Sequence, residues 1–230
     1  VNIFVLISGY FLCNSEIKLK KIFKLILQVD FFSILFYLIF AGIENAITVG
    51  GFFENLFAIF FEKYWFMTAY VVMYLFSPIL NLLIKKLNKR SHFIVLLSGV
   101  ILFFALSFVP KIDFIVNIGW FFSLYLIGAY IKNYQFTFLE KIKTYHYLIG
   151  FFMFYVLIVL FHFYLNINLS ALTNPVGLMW ALCLFLCFKN LNIKNIKSLN
   201  FVASLTLGIY LIHDNNYVRN YIWNEFFKCG

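Results

Sequence analysis

Long apolar runs and short polar connectors alternate along the chain. About 20 apolar residues in a helix cross the roughly 30 Å hydrocarbon core of a bilayer. Runs near this length lie at 22–43, 64–84, 93–110, 115–131, 146–166, 174–190 and 205–226, with a shorter one at 1–12. The pattern predicts an all-α fold, a polytopic transmembrane helix bundle with about eight spans in one membrane-embedded domain, 1–230.

Composition and charge agree with a membrane protein. Hydrophobic residues make up 64% of the chain and charged residues only 12%, more apolar surface than a water-soluble core of 230 residues could bury. The net charge of +9 does not indicate nucleic acid, because the basic residues form no continuous patch. The four cysteines lack a His or acidic neighbour at metal-ligand spacing, so we predict neither a metal site nor a disulfide.

Lysine and arginine crowd into every second connector, at 18–24, 85–90, 132–143 and 189–197. Cytoplasmic loops of membrane proteins carry an excess of these residues. The pattern therefore predicts a multi-pass plasma-membrane protein whose Lys-rich connectors are cytoplasmic.

Polar groups inside a span are costly and often functional. Asp30 lies about a third of the way into the run 22–43. Two interpretations stay open: a carboxyl group that pairs with another helix, or one that orients a catalytic group or substrate.

The run 64–84 carries a polar stripe. Tyr70, Tyr74, Ser77 and Asn81 follow at intervals of three and four residues, which places them on one helical face. Such a stripe suggests contact with a hydrated cavity. Trp65 at the outer end is also explained by the aromatic belt of a membrane interface.

A second polar cluster follows the apolar residues near 205. Tyr210, His213 and Asp214 lie within one helical turn or little more, and Arg219 follows. The His213 imidazole could serve as base, acid or substrate ligand, or hold a structural hydrogen bond. The other three histidines, at 92, 146 and 162, lie at span ends, where an interfacial position is expected.

Several strings in the chain resemble one family. They are FVLISGYFL at 4–12, WFMTAY at 65–70, YLFSPILN at 74–81, LYLIGAY at 124–130 and GIYLIH at 208–213. In this order they resemble the acyltransferase 3 family, multi-span bacterial enzymes that acylate surface and capsular polysaccharides.

The resemblance implies a fold of about ten spans. It also implies acyl-CoA, such as acetyl-CoA, as co-substrate without a bound cofactor, and a glycan hydroxyl as acceptor. The family's catalytic histidine lies upstream of the Ser-Gly-Tyr string, so we expect it upstream of Val1 and this piece to be inactive alone. Many members carry arginines in the next connector, where this chain has Lys20, Lys21 and Lys24 as candidate donor-binding residues.

Acyl transfer needs a base for the hydroxyl and donors for the developing oxyanion. Within this chain the candidate catalytic residues are His213 and Asp214. The candidate substrate-binding residues are Ser8, Tyr10, Asp30, Trp65, Tyr70, Tyr74, Asn81, Tyr210 and Arg219.

Two other functions explain spans and polar stripes. A transporter or lipid-linked glycan flippase would be favoured by matched broken helices in two halves of the chain, but Pro78 is the only mid-span proline. A non-catalytic membrane scaffold would be favoured by a closed, apolar interior.

Overall fold

The computed structural model describes residues 1–43, 45–134, 142–167, 169, 171–191 and 196–227, with only the backbone for 224–226. All of its regular structure over these residues is helical, which confirms the all-α prediction. The helices are α1 (Asn2–Leu12), α2 (Leu19–Ile43), α3 (Val49–Leu56), α4 (Trp65–Lys86), α5 (Lys89–Leu106), α6 (Asp113–Asn133), α7 (Thr144–Leu165), α8 (Pro175–Asn190), α9 (Lys197–His213) and α10 (Asn216–Asn220), followed by a π-helical turn (Tyr221–Phe226).

Within the described residues, five helices are long and apolar enough to cross a membrane: α2, α4, α5, α6 and α7. The predicted count of about eight is therefore not confirmed. Helices α1 and α8 are apolar but shorter, with 11 and 16 residues. At 1.5 Å per residue, even α8 covers only about 24 Å, less than the hydrocarbon core.

The predicted span 205–226 is wrong as a single helix. Helix α9 ends at His213, and the Asn215 side chain accepts hydrogen bonds from the backbone N–H groups of Tyr217 and Val218. An asparagine that caps free N–H groups in this way begins a new helix. Asp214 and Asn215 therefore form a turn between α9 and α10.

The chain divides into two compact units. The first comprises Val1–Ile17 and Val72–Asn192, the second Lys18–Val71 and Ile193–Gly230, and α4 contributes residues to both. The proposal of one domain over 1–230 stays a prediction.

In the first unit, α1 packs on α6 and α8, α5 packs on α6, and α7 packs on α8. Trp120 Nε1 donates to Asn2 Oδ1 at 3.2 Å, and Asn14 Nδ2 donates to Asn133 Oδ1 at 3.3 Å. Asn2, the first residue of α1, pairs with Trp120 in the first half of α6, and Asn14, just beyond α1, pairs with Asn133, the last residue of α6. The two helices therefore run parallel.

Glycines let α1 and α6 approach closely. A Cβ added to Gly9 would lie 2.7 Å from Tyr125 Cα, and one added to Gly128 would lie 2.7 Å from the backbone nitrogen of Tyr10. Small residues at a helix crossing allow such backbone contact in membranes.

His92, for which an interfacial position stays a prediction, has a packing role that the sequence did not indicate. It is fully buried in the first unit, with Nε2 3.1 Å from the carbonyl oxygen of Leu126 and edge-on contacts to the rings of Tyr130 and Tyr134. Its place beside basic residues in the sequence did not reveal that α5 turns this side chain towards α6.

Asn81 links three helices of the first unit. Its Nδ2 donates to the carbonyl oxygen of Leu12 at 3.0 Å, and its Oδ1 accepts from the Tyr125 hydroxyl at 2.8 Å. Leu12 is the last residue of α1, and its carbonyl oxygen also accepts from the backbone nitrogen and the hydroxyl of Ser15 just beyond the helix.

Asn81→Leu is expected to lower the free energy of unfolding by about 1–3 kcal/mol, because it removes the hydrogen bonds that join Asn81 to the Leu12 carbonyl and to the buried Tyr125 hydroxyl. Thermal unfolding of the purified protein in detergent measures the change. Tyr125→Phe, which keeps the Leu12 bond, is expected to cost less, and equal stability of Asn81→Leu and wild type would contradict the assignment.

In the second unit, α2 packs against α3, α9 and α10. The Tyr37 hydroxyl accepts from the backbone nitrogen of Thr48 at 2.8 Å and donates to the carbonyl oxygen of Thr48 at 3.0 Å. These bonds hold the beginning of α3 against α2.

Candidate functional site

The second unit contains a buried polar network at the end of α9. The Tyr64 hydroxyl donates to the carbonyl oxygen of Leu211 at 3.1 Å and accepts from Asn215 Nδ2 at 2.8 Å. Next to it, the Tyr210 hydroxyl donates to Asp214 Oδ2 at 2.6 Å. We call Tyr64, Tyr210, Asp214 and Asn215 the Tyr64 network.

Burial raises the pKa of Tyr64 to about 12, and the negative charge of Asp214 adds to this shift, while the bond from Asn215 opposes it. The Tyr64 hydroxyl therefore keeps its proton at physiological pH and can donate to Leu211.

The stability of the protein is expected to fall as the pH rises from 10 to about 12. Tyr64 loses its proton at a lower pH in the unfolded state than in the folded state. The stabilisation by the neutral hydroxyl is therefore complete below pH 10 and is lost as the pH rises to the folded-state pKa of about 12. Urea unfolding in detergent across this range measures the slope. Tyr64→Phe should make this slope smaller, whereas Tyr164→Phe, at an exposed tyrosine, should leave it unchanged. An unchanged slope in Tyr64→Phe would contradict the assignment.

A polar cavity of about 240 Å³ adjoins this network. It is lined by Ser33, Asn55, Lys63, Asn215, Asn216, Tyr217 and Asn220. We call it the amide cavity. Its floor is buried, because Ser33, Asn55 and Asn215 are each less than 5% exposed. Asn216 and Asn220 at its rim are exposed.

The predicted residues near 213 lie in different surroundings. Tyr210 and Asp214 are brought together in the Tyr64 network. His213 is exposed and makes no hydrogen bond to the described residues, so both ring nitrogens are open to a substrate. Arg219 is also exposed, and its guanidinium donates to Asn216 Oδ1 at 2.8 Å.

Asp30 is half-buried on α2, close to the backbone of Ala58 and Ile59. One of its carboxyl oxygens is buried and has no hydrogen-bond partner among the described residues. Trp65 is exposed at the beginning of α4, and Tyr70 is half-buried one turn further along.

The candidate residues of the first unit lie at helix contacts. The Ser8 hydroxyl donates to the carbonyl oxygen of Phe4 in its own helix. The Tyr10 ring lies 4.7 Å from the Lys132 ammonium. Tyr74 is buried, and its carbonyl oxygen accepts from Ser77.

Lys20, Lys21 and Lys24 are exposed on the first turns of α2. Ser33, the α2 residue that lines the amide cavity, lies more than two helical turns further along α2. The lysines are therefore separated from the cavity along this helix.

The amide cavity is the feature that sequence reasoning missed. Its lining comes from α2, α3, the segment before α4, and α10. The signal in the sequence was the pair Asn215-Asn216 beside His213, but nothing there linked this pair to Ser33 or Asn55.

Comparison with known proteins gives one match. A family model described as an acyltransferase domain matches residues 1–228. Neither the curated proteins nor the solved structures gave a match. Because the matched range covers nearly the whole chain, and because the long apolar helices agree with it, this chain belongs to the acyltransferase 3 family of membrane acyltransferases.

Proposed function

We propose that this membrane acyltransferase, in a bacterial plasma membrane, moves an acetyl or other acyl group from a cytoplasmic acyl-CoA to a hydroxyl of a cell-surface glycan. The family match over residues 1–228 carries the proposal, because it defines the reaction as acyl transfer. Donor, acceptor and sidedness follow from the resemblance and from the distribution of lysines.

The helix directions support this sidedness. Within the first unit, α1 and α6 run parallel, as expected if both lead into a Lys-rich cytoplasmic connector. In the second unit, α2 and α9 both begin at lysines. Further along, α2 contributes Ser33 to the amide cavity, and α9 ends at His213, two residues before Asn215 of the same lining.

The distances from the lysine end to the site are similar along these two helices. From Leu19 to Ser33 and from Lys197 to His213, a rise of 1.5 Å per residue gives about 21 Å and about 24 Å. If the lysines mark the cytoplasmic face, then His213 and the amide cavity lie towards the outer face. Acyl-CoA phosphates would meet Lys20, Lys21 and Lys24, and the glycan would meet His213.

The residues near His213 suit a hydroxyl acceptor. The imidazole would take the proton of the attacking hydroxyl as its oxygen bonds to the acyl carbon. The C–S bond of the thioester breaks, and the CoA thiolate leaves and takes up a proton. Asp214, held by Tyr210, can orient the hydroxyl or stabilise the imidazolium cation.

Labelled acetyl-CoA and glycan acceptor, added to membranes that carry the protein, test the proposal. The assay is run on the 230-residue chain and on the chain with any sequence encoded upstream of Val1, which also tests the expected inactivity of the piece alone. Acylated glycan is the expected product. Movement of unlabelled glycan across the membrane would instead favour the flippase. If neither acylation nor movement of glycan is observed, the result would favour a scaffold.

A further inference from the structure

The floor of the amide cavity is a fixed hydrogen-bonded surface. The Ser33 hydroxyl donates to Asn55 Oδ1 at 2.9 Å, and Asn55 Nδ2 donates to the carbonyl oxygen of Gly51 at 2.8 Å. Asn215 is held between Tyr64 and the first turn of α10. Because these groups are buried and already paired, the floor is organised before any ligand enters.

The rim has spare hydrogen-bonding capacity. Asn216 uses its oxygen to accept from Arg219, so its amide hydrogens remain available. Asn220 makes no hydrogen bond to the described residues. The Lys63 ammonium has three hydrogens and gives one to Glu54, at 2.6 Å.

These groups favour a neutral ligand with hydroxyls over an anion. Among the described residues of the lining, Lys63 is the one cationic side chain, and its charge is paired with that of Glu54. Side-chain amides both donate and accept, and a hydroxyl does the same, so the two groups pair in either direction.

The aromatic wall adds an apolar surface. The Tyr217 ring stacks on Phe40, with centroids 6.0 Å apart and planes 13° apart, which holds its orientation. A sugar ring carries C–H groups on its faces and hydroxyls around its edge, and it therefore matches an aromatic wall beside several amides. The volume of about 240 Å³ is below the roughly 300–1,000 Å³ of sites for drug-sized ligands, which fits a single ring.

We propose that the amide cavity binds one sugar ring of the acceptor glycan. The ring packs against Tyr217, and its hydroxyls bond to Asn216, Asn220 and Lys63. That the bound sugar belongs to the acyl acceptor rests on the proposed function. The binding of a sugar can be tested without acyl transfer.

The binding experiment uses the full chain in lipid nanodiscs. Saturation-transfer NMR is recorded with the methyl glycosides of glucose, galactose and N-acetylglucosamine, and with glycerol phosphate as an anionic probe. We expect signal from at least one glycoside, lost in Asn220→Trp, where the indole fills the cavity, and weakened in Asn216→Ala. Asn200→Trp is the matched control, because it makes the same change on α9 outside the lining.

The kinetic experiment measures transfer by the same substitutions in the active form of the protein. Asn220→Trp is expected to raise the KM for glycan about tenfold or more, equivalent to about 1.4 kcal/mol of lost binding, with the KM for acyl-CoA unchanged. Size-exclusion chromatography checks that each variant is folded, and Asn216→Ala replaces Asn220→Trp if the latter is not.

The two proposals fail in different ways. Sugar binding that Asn220→Trp removes, without acyl transfer either by the 230-residue chain or by the chain with any sequence encoded upstream of Val1, would keep the cavity assignment and overturn the proposed function. Transfer with an unchanged glycan KM in the cavity variants would overturn the assignment and keep the function. Absence of any glycoside signal, or signal from glycerol phosphate alone, would also overturn it.

Discussion

Gly128→Ala and Gly9→Ala together are expected to remove most of the folded protein. Each added methyl group meets backbone atoms of the facing helix, of Tyr10 and Tyr125, and backbone cannot rotate away as a flexible side chain can. Overpacking of a well-packed core costs about 1–3 kcal/mol per site, occasionally more. The double change therefore consumes a large part of a typical stability of about 5–15 kcal/mol.

The yield of monodisperse protein and its unfolding midpoint in detergent measure this effect. Gly50→Ala is the matched control, because the same methyl group at this position meets no atom within 4 Å. It should be neutral or raise stability by up to about 1 kcal/mol, the usual gain when alanine replaces a helical glycine. A double variant as stable as Gly50→Ala would show that α1 and α6 do not cross at these glycines.

His213→Ala is expected to lower the rate of acyl transfer to glycan by about 10²–10⁴-fold, the usual contribution of a general acid or base. The side chain is exposed beside Asp214, with both ring nitrogens free of hydrogen bonds to the described residues. Its removal should therefore leave the unfolding midpoint unchanged while activity is lost. The measurement is initial rate with labelled acetyl-CoA at saturating glycan, on the active form of the protein.

His162→Ala is the control for this prediction, since His162 is also exposed but lies in the last turn of α7. It should keep wild-type activity. Wild-type rates in His213→Ala would remove this imidazole from the reaction and assign proton transfer to another residue.

Helix positions could be predicted well from hydropathy alone. The runs 22–43, 64–84 and 146–166 correspond to Leu19–Ile43, Trp65–Lys86 and Thr144–Leu165. A helix that crosses a bilayer needs a long, continuous apolar segment whose backbone groups bond to one another. Such a segment can be recognised directly from the order of residues.

The boundary within 205–226 could not be predicted in this way. Hydropathy averages over the polar residues 214–216, whereas the helix ends there because the Asn215 side chain caps α10. Capping depends on one side-chain oxygen and its local geometry, which an average over a window does not register.

In the candidate site, too, one contact could be predicted from the sequence and the cavity could not. Tyr210 and Asp214 are one helical turn apart, so their contact was open to prediction from spacing, and the structure pairs them at 2.6 Å. The amide cavity joins Ser33, Asn55 and Asn215, which lie far apart in the chain. Spacing rules reach only neighbours within an element.

By itself, the sequence determined the all-helical class, the membrane as solvent and the acyltransferase 3 family, because each depends on local runs or strings of residues. The tertiary structure decided which polar groups bond between packed helices and which surround an open cavity. Asn81, for example, bonds to Leu12 and Tyr125. The physical reason is that a hydrogen bond or a cavity between helices depends on the distance between distant segments, and packing alone sets that distance.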